Sequence, residues 1–274
     1  PSLIRLGLMS RFAVVKLGHN SSSYLHRFAE ATKHAFWCRL AYAGDPEIDP
    51  PPLDKLLSED YWRAQALKIR SDVVTPFVPP KASIKQGVNT THFVVADRWG
   101  NIVSATQTLG NAFGSRIMPE GTGIWLNNSL AYCTFEPAGN PMDAHAGHRK
   151  LSGDCPTIIF REGRPWAALG TPGGHTIGQT VPQMVMNLVD FDMDIQAAIA
   201  APRISFREPD SLAAEAGIPV EILTELRRLG HNIHEIGWGL GNAHGLTIAY
   251  GRDGLPRRFA GGADPRGAGT AAGY

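Results

Sequence analysis

Hydrophobic positions recur at helical spacing in the first third of the chain and at strand spacing beyond it. In "SSYLHRFAEATKHAFWCRLAYA", residues 22–43, Leu25, Phe28, Ala29, Ala35, Phe36 and Leu40 fall at roughly helical intervals. The run Gly44-Asp45-Pro46 then supplies a stop. "EIDPPPL" reads as a turn or extended linker. "SEDYWRAQALKIRSDV" reads as a second helix, with Ser58 as N-cap and acidic residues in its first turn. Residues 75–88, "TPFVPPKASIKQGV", show no periodicity and predict an extended linker.

The period changes at Thr90. "THFVVAD" alternates, "RWGN" offers a turn, and "IVSATQTL" alternates again, which predicts a β-hairpin. "GTGIWLNN" predicts a further short strand, and residues 133–150 a polar loop. "PTIIFREGRPWAALG" gives a second hairpin turning at Glu162-Gly163-Arg164. "TPGGHTIGQTVPQMVMNLVDF" is a glycine turn feeding a helix, and "DIQAAIAAPRI" a short helix capped by Asp194. "PVEILTELRRLGHNIHEI" is a helix closed by Gly230 and followed by a strand. "AHGLTIAYGRDGLPRRFAGGADPR" is a third hairpin, turning at Arg252-Asp253-Gly254. Antiparallel hairpins with helices grouped apart predict an α+β fold rather than a doubly wound parallel sheet.

Composition narrows the field by exclusion. The 274 residues are 43% hydrophobic and 19% charged, with a formal net charge of +1. That balance gives no electrostatic footprint for nucleic acid or an anionic membrane. No run of about 18 apolar residues exists, so no membrane span is expected. The opening "PSLIRLGLMSRFAVV" lacks the pattern of a secretion signal, and the compartment stays open. Three cysteines, Cys38, Cys133 and Cys155, are too few for a disulfide framework or a zinc site. His145 with His148, and His231 with His234, are three apart, but neither pair has further ligands nearby.

Two stretches invite chemistry. The first is Asn89-Thr90-Thr91-His92 at the mouth of the first hairpin. A threonine hydroxyl is a poor nucleophile until a base lies within hydrogen-bond reach. If the bond before Thr90 is cut, its own α-amine becomes that base, with an ordinary pKa of ~7.7–8. A loose linker before Thr90 and a strand after it suit both demands; the plainer alternative is a strand cap. Thr108, on the return arm, comes near Thr90 if pairing runs to the hairpin base. His92 reads as packed or hydrogen-bonded rather than catalytic. The second stretch is "GTPGGHTIG", where Gly173 and Gly174 between strand and helix can aim two N–H groups at a developing oxyanion. An ordinary tight turn is the alternative.

In combination the stretches are more specific. Thr90-Thr91-His92, "DRWGNIVSATQT", "FGS", "GTGIWLNN", "KLSGDCPTII", "GTPGG", "AAPRI", "GGADPR" and Gly273-Tyr274 follow one another in an order that resembles the γ-glutamyltransferase (γ-glutamyl transpeptidase) family of N-terminal-nucleophile (Ntn) hydrolases. The resemblance covers residues 90–274, with residues 22–89 similar to the helical end of the family's large subunit. It implies a four-layer αββα sandwich, incomplete here because the first part of the large subunit is absent. It implies self-cleavage between Asn89 and Thr90. Residues 1–89 would then close the large subunit, and residues 90–274 would form a small subunit led by the nucleophile Thr90. The mature form would be a heterodimer of the two pieces. Thr108 would hydrogen-bond the nucleophile, Gly173 and Gly174 would form the oxyanion hole, and no cofactor or metal would be needed.

The substrate shell departs from the family pattern. The resemblance assigns Asn111, Asn128, Tyr132, Ser152 and Gly153 to substrate binding. Tyr132 stands where the family's aspartate holds an α-amino group, and Gly153 where a second serine is usual. Gly110 takes the place of an asparagine, with Asn111 one position late. A tyrosine does not make the charge-assisted bond to an ammonium that a carboxylate makes. The resemblance therefore implies a small-molecule amide substrate, γ-glutamyl by default. Glutaryl-cephalosporin or small-amide acyl groups, or a binding paralogue without turnover, are the alternatives.

Overall fold

The structure, a computed structural model, describes residues 1–78, 89–134, 139–149 and 151–274. Most of the predicted linker, residues 79–88, lies outside the described residues, as do four residues of the predicted polar loop and its last, Lys150.

Five helices precede the linker: α1 (Ser2–Met9), α2 (Val14–Leu17), α3 (Ser22–Tyr42), α4 (Leu53–Leu56) and α5 (Glu59–Ala66). α3 starts where Ser21 Oγ accepts from the Tyr24 N–H at 3.1 Å, and α5 where Ser58 Oγ accepts from the Tyr61 N–H. Each cap satisfies an N–H that has no partner within its helix. α5 is shorter than expected and ends at Ala66, and α4 follows the three prolines read as linker.

The first hairpin pairs β1 (Asn89–Ala96) with β2 (Ile102–Gly110). Asp97 closes its turn by accepting from the N–H groups of Trp99 and Asn101. β3 (Thr157–Arg161) and β4 (Arg164–Gly170) turn at Glu162-Gly163, both with positive φ, as a two-residue type I′ turn requires. They join β8 (His244–Tyr250) and β9 (Pro256–Ala263) in an antiparallel sheet of order β3-β4-β8-β9. α6 (Ile177–Val189) and α7 (Ile195–Ala200) follow β4, with Asp194 capping α7. The remaining sheet, β5 (Ile204–Arg207), β6 (Ser211–Glu215) and β7 (Ile233–Ile236), has a parallel β6–β7 pair joined through α8 (Val220–Arg228). The hairpin readings hold, but "GTGIWLNN" forms no strand. Residues 121–128 run irregularly and leave Ile124, Trp125 and Leu126 exposed, so no packed face rewards a regular strand there.

Three apolar seams stack these elements. Val94, Ala96 and Ile102 of the hairpin press on Ala168, Leu246 and Ile248 of the four-stranded sheet. On the sheet's other face Ala167 and Leu169 meet Ile177, Val181, Ile195 and Ile199 of α6 and α7. The largest cluster joins α1 and α3 to the second sheet and α8, through Leu25, Phe28, Phe36, Phe206, Leu212 and Leu226. The order is hairpin, sheet, helices, in an α+β fold. At side-chain transfer values of about 1.5–3 kcal/mol each, the buried Leu, Ile and Phe residues dominate the favourable term.

A buried ionic cluster fastens the second sheet to the end of β9. Arg203, 1% exposed, donates to Asp264 at 3.0 Å, and Arg266 bridges Asp264 and Glu215. Glu215 also accepts from the Arg203 N–H, and Asp264 from the Ala243 N–H. Burial alone raises the Asp264 carboxyl, but Arg203, the Ala243 N–H and Arg266 together hold it below the usual carboxylate range.

Candidate active site

Strand register sets the heart of the site. Thr90 stands directly opposite Thr108, as the pairing argument expected, and the next pair toward the strand end is Asn89 with Gly110. Leu109 is skipped, so a bulge falls at the Asn89–Thr90 junction. Gly110 follows at φ +86°, a left-handed value that glycine adopts without a steric penalty. Bulges re-aim side chains, and here one hydroxyl collects three partners. Thr90 Oγ1 donates to Thr108 Oγ1 at 2.9 Å, and Thr108 Oγ1 donates to the carbonyl oxygen of Asn89 at 2.7 Å. The Gly110 N–H donates to the same Thr108 oxygen at 2.9 Å. A directed chain thus runs from the Thr90 hydroxyl to the carbonyl of the peptide bond that precedes it.

The glycine turn lies close by. Gly173 has φ +139° and Gly174 φ +58°, and a 3₁₀ turn over Gly174–Thr176 leads into α6. A Cβ at Gly173 would sit 2.3 Å from Thr176 Oγ1, so both conformation and space demand glycine there. Thr90 and Gly174 line one cavity of about 530 Å³. Tyr132, Ser152 and Gly153 line it too, with Phe36, Arg39 and Tyr42 of α3 and Arg5 of α1.

A match to a family model covers residues 2–274, and its description is gamma-glutamyltranspeptidase. The chain belongs to the gamma-glutamyltranspeptidase family. It is 32% identical over 262 residues to the "Glutathione hydrolase proenzyme" of Bacillus subtilis strain 168, spanning 89% of this chain and 44% of that protein. It is 33% identical over 277 residues to the protein of that name in Escherichia coli K12, spanning 95% of this chain and 46% of the relative. The chain thus spans just under half the length of these curated relatives. Among solved structures, a cephalosporin acylase from Bacillus halodurans superposes with a TM-score of 0.81 at 26% identity, over 97% of this chain and 48% of that one. A gamma-glutamyltranspeptidase from Helicobacter pylori gives 0.60 at 32% identity, over 65% of this chain and 100% of that one. These neighbours are Ntn-hydrolase enzymes, and the α+β fold read from the sequence is theirs.

The remaining positions singled out by the family resemblance divide in two. Tyr132, Ser152 and Gly153 face the cavity with Thr90. Asn111 and Asn128 are not among its lining residues. Asn128 Oδ1 instead accepts from the Asn111 N–H at 2.9 Å, and the Asn128 N–H donates to Leu109. Asn128 thereby braces the Gly110 turn behind Thr108. Ser152 Oγ donates to Asp154 at 2.8 Å.

His92 is 2% exposed and pairs through Nδ1 with Thr106 Oγ1 at 2.9 Å. Burial, aided by nearby His244, pushes its pKa down to about 4. It is a packed, neutral ring, in keeping with its sequence reading. His231 pairs with His26 at 2.8 Å rather than with His234. Among the described residues no group of three or more His, Cys, Asp or Glu is placed to hold a metal ion.

Sequence reading missed Arg5, Arg39 and Asp154 as cavity residues. Both guanidiniums lie over the Phe36 ring, at 5.4 and 5.9 Å from its centroid. Arg5 donates to Thr32 and to the Gly178 carbonyl, and Arg39 to His175 Nδ1. Burial lowers the pKa of Arg5 to about 9, with Arg39 adding to the shift, and that of Arg39 to about 10, so both remain charged at neutral pH. The signal for Arg39 was available in principle: it lies one helical turn beyond buried Phe36 on α3.

Proposed function

We propose that this chain is a threonine-dependent amide hydrolase or acyltransferase that first cuts itself before Thr90. The observation that carries the reading is the hydrogen-bond chain from Thr90 through Thr108 to the Asn89 carbonyl, set on a bulge at the cavity wall. Family membership supports it. In the first step Thr90 Oγ1 bonds to the Asn89 carbonyl carbon, the C–N bond to Thr90 breaks, and the hydroxyl proton ends on the departing nitrogen. The Thr108 hydroxyl, already donating to that carbonyl oxygen, steadies the negative charge that develops there. Water then splits the ester, leaving a carboxylate on Asn89 and a free amine on Thr90.

That amine becomes the base for turnover. It takes the Thr90 hydroxyl proton as Oγ1 attacks a substrate amide, and the N–H groups of Gly173 and Gly174 receive the oxyanion. The amine product leaves with the proton, and water or a second amine accepts the acyl group. Residues 1–89 and 90–274 stay together as the two pieces of one enzyme. The relatives' names, glutathione hydrolase and acylase, suggest a γ-glutamyl or related acyl donor. Tyr132 and Gly153 favour a head-group site arranged differently from the family pattern.

Intact-mass measurement of the purified chain tests this reading. Two pieces are expected, one beginning at Thr90, and Thr90→Ala should give a single uncut chain without turnover of a γ-glutamyl anilide. Cleavage elsewhere, or full activity in Thr90→Ala, would sink the assignment.

A further inference from the structure

A second hollow lies on the four-stranded sheet and shares no lining residue with the Thr90 cavity. Its volume is about 320 Å³. Strand register explains its shape. Leu246 and Ile248 of β8 pack toward the hairpin, so Thr247 and Ala249 point to the sheet's other face. Ala260 stands opposite Thr247 and Arg258 opposite Ala249, so both share that face. Ala260 still packs against the cluster of α6 and α7, whereas Ala249 and Arg258 are exposed, so helix cover ends between them. Small side chains there make a floor. Longer ones stand around it: Arg161, Arg164 and Trp166 from the β3–β4 hairpin and Arg258 from β9.

Three guanidiniums thus rim one hollow, against one carboxylate, that of Glu162. Among the described residues none of the four takes part in an ion pair. Arg257, the neighbour of Arg258, is by contrast paired with Asp253. Two of the three guanidiniums are placed by ring faces instead. Arg161 lies 3.6 Å from the centroid of the Trp166 ring, and Arg164 5.7 Å from that of Tyr250. Tyr250 is itself fixed, its hydroxyl donating to the Pro165 carbonyl at 2.7 Å. Stacking holds a guanidinium by its face and leaves its in-plane N–H groups unspent. Like charges gathered without counter-charges repel one another, and an anion in the hollow relieves that repulsion.

We propose that this hollow binds a small anion carrying more than one phosphoryl group, pyrophosphate being the simplest. Arg161 and Arg164 meet it from the β3–β4 side and Arg258 from β9, over the Thr247 hydroxyl. A planar carboxylate is matched by a single in-plane fork, whereas a tetrahedral phosphoryl group accepts donors from several directions. Guanidiniums carried on separate strands therefore favour the phosphoryl group. The site stands apart from the Thr90 chemistry and does not depend on it.

Isothermal titration of the full chain with pyrophosphate, citrate and ADP tests the proposal. Pyrophosphate should bind with a dissociation constant of roughly 1 mM or below, and about fivefold or more tightly than citrate, a polyanion without phosphorus. ADP separates the two sources of the same chemistry: tighter binding than pyrophosphate points to a nucleotide, weaker binding to a free oligophosphate, and either sustains the site. Arg161→Gln and Arg258→Gln should each weaken pyrophosphate about fivefold or more. Ala249→Leu fills the floor without changing charge and should weaken it as much; thermal melts establish that each variant is folded. Arg252→Gln removes an exposed arginine that does not line the hollow and should leave affinity within about twofold. No binding at millimolar concentration, citrate binding as tightly as pyrophosphate, full affinity in Ala249→Leu, or an equal loss in Arg252→Gln would each overturn the proposal.

Discussion

Thr108 is the residue on which the proposed cut turns, because one oxygen accepts from Thr90 and Gly110 while donating to Asn89. Thr108→Val keeps the β-branched shape and removes both hydroxyl roles. Self-cleavage should slow by about 10²–10³-fold, the usual effect of losing one donor to a developing oxyanion. Thr108→Ser should retain most of the rate. A time course of precursor disappearance measures both, and wild-type kinetics in the valine variant would refute the role. A second residue shows how sequence and structure assign different reasons to one glycine. Gly170 reads as the start of a glycine turn, yet a Cβ there would lie 2.3 Å from the His92 ring. Its smallness lets the buried imidazole sit between hairpin and sheet. Gly170→Ala should therefore destabilise by about 1–3 kcal/mol, as overpacking does, with a matching drop in denaturation midpoint.

At the scale of elements, the second sheet depends on ions more than on pattern. Arg203 and Asp264 are 1% exposed and hold β6 against the end of β9 through Glu215 and Arg266. Asp264→Asn leaves Arg203 buried and unpaired, which costs about 3–5 kcal/mol. Melting should fall by roughly 10 °C, given about 2–4 °C per kcal/mol for chains of this size. A melt within 2 °C of the parent would show that the cluster is replaceable. The same elements mark where sequence legibility ends. Every hairpin with a glycine turn and one wet face could be read from alternation. β5 and β6 could not: Ile204, Ser205 and Phe206 are all buried, as are Leu212 through Glu215. A strand covered on both sides shows no period of two, and a buried glutamate inside it looks like a surface residue. Arg39 was missed for a related reason. Helical spacing places it, but only the approach of His175 and the glycine turn makes its position a cavity wall. The Thr90–Thr108 pairing was legible because hairpin register follows from turn position, whereas the bulge that aims the two hydroxyls depends on how the chain leaves β2.

Across the whole molecule, buried and half-buried histidines stitch separate seams. His34 joins α3 to α5 through Tyr61, His92 lies between hairpin and sheet, and His231 meets His26 between α3 and the end of α8. Burial lowers all three: His34 to about 4, with Lys68 contributing, His92 to about 4, with His244 contributing, and His231 to about 3, with His26 and Lys33 contributing. Unfolded histidines titrate near 6.5. Between about pH 6.5 and pH 4 the unfolded chain binds protons that the folded chain refuses, so stability falls as pH falls through that window. The buried Asp264 carboxyl acts lower: its contribution is present above the ordinary aspartate value of about 3.9 and is lost as pH drops through its depressed folded value. Urea midpoints at pH 7 and pH 5 should therefore differ clearly, with the lower midpoint at pH 5, and His231→Gln should shrink the difference. Catalysis should fail earlier on the same descent. The proposed base is the Thr90 amine, and an unperturbed α-amine protonates at ~7.7–8, above the histidine window. Turnover should decline around that value while urea midpoints hold steady, and unfolding should follow only under more acid conditions. If activity and stability instead fell together across one pH range, the rate would be reporting loss of fold, and the amine would lose its place as the base.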